Sequence, residues 1–424
     1  MKPPASVGVA AGVAVDILAG LTDGQRHGLE RLWTVLPQAR LVGGAVRDLL
    51  LRMPVADVDM AVPQPPDDVM AVLRAAGLRV EATGLAHGTV TAVLDGTPYE
   101  ITTLRRDVLT DGRHAVVRWT DDWREDAARR DFTINAMTLD RHGLLHDYFG
   151  GQADLNRGRV RFVGDATLRI TEDALRILRF FRFQGRYGHG QPDGEAVGAI
   201  ASSTALLRGL SVERVWSELR RILAGPNVAA VVALMAQTGV LAELLPEGVE
   251  QGRFERLLGL GAPCSALLRL AALARQPLEV ARRLRLSRAD TAYLRGVGGA
   301  LPGSAGGIFA PADLSAVTDD SLRVLLAEAP ADHVQGRLWL AEAAMPAEPG
   351  MAADFAALHA RFGRIEAPVF PLAGRDALAL GAAPGPMVGR ALEQVKNWWK
   401  ATGCRATAEE CRIRLAGVLR GKDD

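Results

Sequence analysis

Between Asp23 and Leu36 apolar residues recur at the helical period, which predicts an amphipathic helix leading into an apolar strand at Ala39–Val42 and a turn at Gly43-Gly44. A short helix over Val46–Leu51 and a strand over Val58–Val62 are expected next. Pro63–Asp68 reads as a turn before a helix at Val69–Ala76. Strands are expected at Leu78–Glu81, Thr89–Leu94 and Tyr99–Leu104, separated by Gly or Pro. A mixed α/β domain accounts for this order.

The polar interval Arg106–Asp122 is long for a structureless connection, so it reads as mobile or as a small hairpin with a strand at Val116, Val117 and Trp119. Gly150-Gly151 and Asn156–Gly158 mark a transition. Beyond Asp165 the pattern is mainly helical, over Asp173–Gln184, Val212–Leu223, Val228–Gln237 and Arg253–Arg275. Gly298–Gly307 reads as a linker, Pro346–Gly350 as an interruption, and Gly381–Gly389 as the lead into a helix through Trp398 and Trp399. The expected fold class is α+β, a mixed sheet followed by helices.

With 424 residues and 48% hydrophobic composition the chain can bury several cores. Its three cysteines, Cys264, Cys404 and Cys411, form neither a metal-ligand pattern nor a disulfide framework, which points to a reducing cytoplasm. Val7–Leu21 is apolar but interrupted by Asp16 and lacks a cleavage pattern, and no membrane span is expected. A net charge of +1 gives no general argument for nucleic-acid binding.

Candidate chemistry begins at Asp57 and Asp59. Residues two apart on a strand face one side, so these carboxylates can share one or two hard cations. Glu100 alternates with Tyr99 and Ile101 and is either a third carboxylate on a neighbouring strand or a surface residue. Gly43 or Gly44 can offer backbone donors to a phosphate and Arg47 a charged fork, with Asp48 orienting Arg47 through an ion pair. The turn is neither a P-loop nor a dinucleotide fingerprint. Metal-assisted phosphoryl or nucleotidyl transfer is the chemistry this grouping suits.

Two basic constellations follow. Arg129-Arg130-Asp131-Phe132-Thr133-Ile134-Asn135 sets Arg130 to contact phosphate or position a helix, and Asp131 or Asn135 to recognise ribose. Asp173, Arg176, Arg179 and Arg182 advance by threes as one polar stripe, with Leu175, Leu178 and Phe181 opposite. Asp accepts from an exocyclic amino group and Arg donates through a fork, so the pair can select cytosine or adenine over uracil. A salt-bridged exposed helix face is the plainer alternative.

In order and combined chemistry, Leu41–Asp48 with Asp57-Val58-Asp59, Arg129–Met137 and Glu172–Arg176 resemble the bacterial class II CCA-adding tRNA nucleotidyltransferase and poly(A) polymerase family. The resemblance covers roughly 39–190 and implies a nucleotidyltransferase head over 1–150, a helical neck over 151–225, a body over 226–300 and a tail over 301–424. It implies Mg2+ on Asp57 and Asp59, nucleotide contacts from Gly44 and Arg47, nucleotide positioning by Arg130, and Asp173 and Arg176 as a protein template; Gly43, Arg129, Asp131 and Asn135 stand beside them as nucleotide-binding candidates. Arg179 and Arg182 would support phosphates or the helix, and Arg106–Asp122 would serve the switch to adenine.

The implied substrates are tRNA, CTP and ATP, and the chain is read as a monomer. Arg220, Arg221, Lys396, Trp398, Trp399 and Lys400 are candidate tRNA contacts, with ordinary helix surface and packing as the plainer reading. His146-Asp147 lacks the further ligands of a phosphohydrolase centre and reads as a turn. A poly(A) polymerase, an enzyme restricted to CC or A addition, and a noncatalytic RNA-binding scaffold are the alternatives.

Overall fold

In the computed structural model, residues 18–85, 88–110, 115–299, 314, 317–345 and 350–421 are described. The expected linker at Gly298–Gly307 falls outside them from residue 300 onward, as do residues 346–349 of the expected interruption and the start of the Val7–Leu21 stretch. The chain parts into two compact units between Leu244 and Leu245.

Helix α1 (Asp23–Val35) begins at a capping box in which Thr22 and Gln25 satisfy each other's backbone N–H groups. Its apolar face buries Leu29, Leu32 and Trp33, the last donating from Nε1 to the Ala39 carbonyl at 2.9 Å. Strand β1 (Arg40–Val42) then enters a seven-stranded mixed sheet. Helix α2 (Gly44–Leu50) follows Gly43, whose φ of +65° is a conformation glycine adopts without a Cβ penalty.

Strand β2 (Asp59–Val62) starts one residue later than expected, so Asp57 lies at the mouth of the strand. Helix α3 spans Pro66–Ala75, absorbing part of the expected turn because Pro66 suits the first helical turn. Strands β3 (Arg79–Gly84), β4 (Thr89–Leu94) and β5 (Thr97–Thr103) form a meander, and β5 returns parallel to β2. Tyr99 is fully buried and its hydroxyl donates to the carbonyls of Gly24 and Gln25, both at 3.3 Å, which ties α1 to the sheet.

Strands β6 (Arg105–Thr110) and β7 (Ala115–Trp119) pair antiparallel, the hairpin alternative for the polar interval, with residues 111–114 outside the described set. Helix α4 (Trp123–Ala128) leads to β8 (Thr138–Leu139) and β9 (Leu145–His146), which complete the sheet order β3-β4-β5-β2-β1-β8-β9. The transition at Gly150-Gly151 opens helix α5 (Gly151–Asn156).

Helices α6 (Ala166–Glu172), α7 (Leu175–Tyr187), α8 (Gly194–Ser202), α9 (Val212–Ala224), α10 (Val228–Gln237) and α11 (Val240–Leu244) finish the first unit. The helix expected from Asp173 begins at Leu175: Asp173 is extended, ends α6, and accepts from the Leu175 N–H at 3.1 Å. Phe132 packs its ring 5.0 Å from Phe162 and 5.1 Å from Phe183, joining the segment after α4 to α7.

In the second unit, the single helix expected over Arg253–Arg275 is two, Gln251–Gly259 and Ala266–Leu273. Gly261 at φ +72° and Pro263 break it, since one adopts a left-handed turn and the other has no N–H to continue a ladder. One core gathers Val317, Leu322, Val334, Leu338, Phe355 and Leu358. Another gathers Leu372, Ala391, Val395, Trp399, Cys411 and Leu415. Trp399 is therefore packing, and Lys400 is engaged by Glu328 at 2.8 Å. No helix among the described residues is long and apolar enough to cross a membrane.

Candidate active site

Parallel pairing of β2 with β5 sets Asp59 level with Glu100. Glu100 is exposed between buried Tyr99 and Ile101, as strand alternation requires. Exposed Asp57 lies two residues before the half-buried Asp59. Burial, then the charges of Glu100 and Asp57, raise the Asp59 carboxyl from 3.8 to about 6, against the opposing pull of Arg130. Among the described residues no three His, Cys, Asp or Glu side chains converge tightly enough to enclose a metal. The carboxylate oxygens are nonetheless the donors a hard cation prefers, and their mutual repulsion is what such a cation would relieve.

The glycine turn closes against this site. A Cβ on Gly43 would stand 3.0 Å from Arg130 Nη1, so the backbone at this point is near a guanidinium. Arg130 Nη2 donates to Asp126 at 3.2 Å, and its Nη1 reaches the Asn135 carbonyl at 3.5 Å. Arg129 Nε donates to the other Asp126 oxygen at 2.9 Å. Burial alone would raise the Asp126 pKa, yet Arg130 and Arg129, their hydrogen bonds and the Arg105 N–H hold it below the usual carboxylate value.

Arg47 is buried and committed. Its Nε donates to Asp48 at 2.9 Å, its Nη1 to Asn135 Oδ1 at 2.6 Å, and its guanidinium carbon lies 4.2 Å over the Tyr187 ring. Tyr187 in turn donates to Asp48 at 3.2 Å. Asp131 accepts from Phe132 N–H, Asn135 Nδ2 and Arg179 Nε at 2.8, 3.0 and 2.8 Å. These bonds outweigh burial and keep Asp131 ionised below its ordinary range. Asp131 and Asn135 thus link the Arg47 turn to α7.

Asp173 and Arg176 are held separately. Asp173 Oδ1 caps Leu175, while Oδ2 accepts from Arg214 of α9 at 2.8 Å. Arg176 Nη1 donates to Glu172 at 2.6 Å and the Arg169 carbonyl at 2.9 Å, and Nη2 to the Arg129 carbonyl at 3.1 Å. Of five guanidinium N–H groups, one on Nη2 and that on Nε lie outside these bonds. Arg179 pairs with Asp131 and Arg182 with Glu218. A cavity of about 230 Å³ lies beside this network, lined by Arg106, Glu125, Ala128, Arg129, Arg169 and Glu172.

Sequence reasoning passed over Asp126, Arg214 and Glu218. Glu218 is a buried acid on an otherwise amphipathic helix, and its position on the apolar face of α9 is its sequence signal. Asp126 stands three and four residues before Arg129 and Arg130, a helical spacing that signals both pairs, whereas Arg214 becomes visible only when distant residues are brought together.

Residues 39–161 match the family model described as the poly A polymerase head domain, and residues 191–251 the one described as a probable RNA and SrmB-binding site of polymerase A. The mouse (Mus musculus) mitochondrial CCA tRNA nucleotidyltransferase 1 is 35% identical over 391 residues, 88% of this chain and 85% of that protein. The human mitochondrial enzyme of the same name is 46% identical over 224 residues, 52% of each chain. The CCA-adding enzyme of Bacillus stearothermophilus, solved in complex with CTP, superposes with a TM-score of 0.70 at 28% identity, covering 95% of this chain and 99% of that one.

Proposed function

Because this chain belongs to the CCA tRNA nucleotidyltransferase family, we propose that it adds CMP and AMP from CTP and ATP to the 3′ end of tRNA without a nucleic-acid template. The observation that carries the reading is the Asp59–Glu100 register with Asp57 at its mouth and Arg130 within its field. In each step the tRNA 3′-oxygen attacks the α-phosphorus, the bond to the β-phosphate oxygen breaks, and pyrophosphate departs. Magnesium, which Asp57 and Asp59 would hold, supplies activation of the hydroxyl and charge compensation on the leaving pyrophosphate.

The chain's own residues do the positioning. Arg130, steered by Asp126, presents its guanidinium beside the glycine turn, where it suits a phosphate oxygen. Arg47 fixes that turn to Asn135, and through Asp131 and Arg179 the turn keeps its register with α7. Asp173 retains a lone pair on each oxygen for an exocyclic amino group, and Arg176 retains donors for a ring acceptor. Both can read a base without surrendering the bonds that hold them. Uracil and guanine present a carbonyl where the amino group is needed, leaving Asp173 facing an acceptor.

In the same reading 1–150 form the head, 151–225 the neck that selects the base, and 226–300 and 301–424 the body and tail that hold tRNA, in the cytoplasm. Purified protein with magnesium, CTP and ATP should extend a tRNA ending before CCA by three nucleotides and one ending in CC by a single A. An unrelated RNA should stay unextended. Long A tracts on both RNAs would replace this reading with a poly(A) polymerase.

A further inference from the structure

A cavity of about 530 Å³ lies in the first unit between the C-terminal halves of α7 and α9 and the start of α10. Its walls are apolar, from Phe181, Ile222, Pro226 and Val231, and Arg182, Arg186 and Arg221 bring it positive charge. The enclosure is built rather than incidental. Asn227 Nδ2 donates to the Gly185 carbonyl at 3.0 Å, pinning the α9–α10 turn to α7. A Cβ on Gly185 would stand 2.9 Å from Val231 Cγ2 and 3.0 Å from the Pro226 carbonyl.

Charge in this cavity is unbalanced. Buried Glu218 accepts from Arg182 Nε at 2.7 Å and stands 3.5 Å from Arg221 Nη1, so one carboxylate answers two guanidiniums. Arg186 makes no ion pair among the described residues and lies 5.3 Å over the Tyr187 ring. Burial, with Arg179 and Arg221 nearby, outweighs Glu218 and lowers the Arg182 pKa. An anion would settle this excess, and guanidinium forks against an apolar wall suit a phosphodiester flanked by ribose.

Position narrows the source of that phosphate. Arg179 and Tyr187 fasten α7 to Asp131 and to the Arg47–Asp48 turn, whereas Arg182 and Arg186 line the cavity, so the cavity adjoins the nucleotide turn without sharing the residues that hold it. We propose that the cavity binds a backbone phosphate of the tRNA primer strand near its reacting end, not the incoming nucleotide. The proposal rests on the tRNA reading above.

The test measures equilibrium binding of a tRNA ending in CC to the full chain over a salt series, for wild type, R186Q, R221Q and the double variant. R31Q, which removes an exposed charge on α1 paired with Asp95 at 3.5 Å, controls for net charge. Losing this one phosphate contact should flatten the slope of log affinity against log salt by about one unit in the double variant and by less in each single variant, so the fall in affinity between about 50 and 200 mM salt shrinks about threefold in the double variant. CTP affinity without tRNA should stay at the wild-type value.

An unchanged slope in the double variant overturns the proposal, as does an equal change in R31Q. Weaker CTP binding with an intact tRNA slope also overturns it, by assigning the cavity to free nucleotide. Wild-type protein that extends no tRNA would instead sink the functional reading, so the two failures are distinguishable.

Discussion

Asp59 and Glu100 occupy matching positions on adjacent parallel strands in the middle of the sheet, which crowds two carboxylates beside a third at Asp57. The Asp59 carboxyl titrates near 6 rather than 3.8, so the folded chain holds this proton more tightly than the unfolded one. Its contribution to stability is complete below the unfolded value, declines as pH rises, and is lost above about 6. That difference corresponds to at most about 3 kcal/mol, reduced by the water that reaches the site. In chelator, D59N should flatten this pH dependence and be the more stable protein near neutral pH, while losing transferase activity. Urea titrations of both proteins across the interval decide it, and parallel stability curves would refute the crowding argument.

Arg47 and Asn135 join elements far apart in sequence through a 2.6 Å bond that is wholly buried. Asn135→Ala leaves a guanidinium N–H facing no oxygen and removes a donor to Asp131, a loss of about 1–3 kcal/mol. Arg47→Lys should cost a similar amount, because an ammonium cannot span Asp48 and Asn135 while stacking on Tyr187. Chemical denaturation of both variants checks this. Stability within about 0.5 kcal/mol of wild type, the scatter of neutral surface substitutions, would show the bridge to be dispensable.

Local patterns made the first helix, the glycine turn and the Tyr99–Ile101 alternation legible, since each depends on periodicity or on one residue's conformational range. The hairpin was legible only as an alternative. Gly261 and Pro263 were visible breakers outweighed by the apolar periodicity on either side of them. Strands of two residues, at Thr138–Leu139 and Leu145–His146, carry too little pattern to be read. Apart from the Arg47–Asp48 ion pair, which adjacency suggests and which forms at 2.9 Å, the charged residues were legible as types but not as pairs. Asp173 with Arg214 depends on how helices meet, which spacing along the chain does not encode, whereas Asp126 with Arg130 is a pair at i,i+4 that the spacing carries.

Gly28 on α1 faces the Tyr99 hydroxyl, and a Cβ there would stand 2.1 Å from that oxygen and 2.5 Å from the ring carbon bearing it. Helix propensity favours alanine over glycine by about 1 kcal/mol. Overpacking a fully buried tyrosine costs about 1–3 kcal/mol and also displaces its bonds to Gly24 and Gln25. The clash should win, so Gly28→Ala lowers stability where an exposed helical glycine would raise it. Gly24, with no atom within 4 Å of its Cβ position, is the internal control. A gain in melting temperature for Gly28→Ala would show that α1 can slide away from the sheet.

Arg214 holds one oxygen of Asp173 and the Leu175 N–H holds the other, so the acceptor offered to a base is fixed in two directions. Asp173→Ala should abolish the preference for CTP and ATP over UTP and GTP while leaving magnesium dependence intact, because the altered side chain is remote from Asp57 and Asp59 in sequence and role. Arg214→Gln keeps the carboxylate and loosens one anchor, so discrimination should fall partway. A charge-assisted bond of about 1.5–3 kcal/mol sets the scale at roughly ten- to a hundredfold in relative kcat/KM. Single-nucleotide addition with each of the four triphosphates separates the cases. Undiminished selectivity in Asp173→Ala would remove this residue from base recognition, whereas a uniform loss for all four nucleotides would make its role structural.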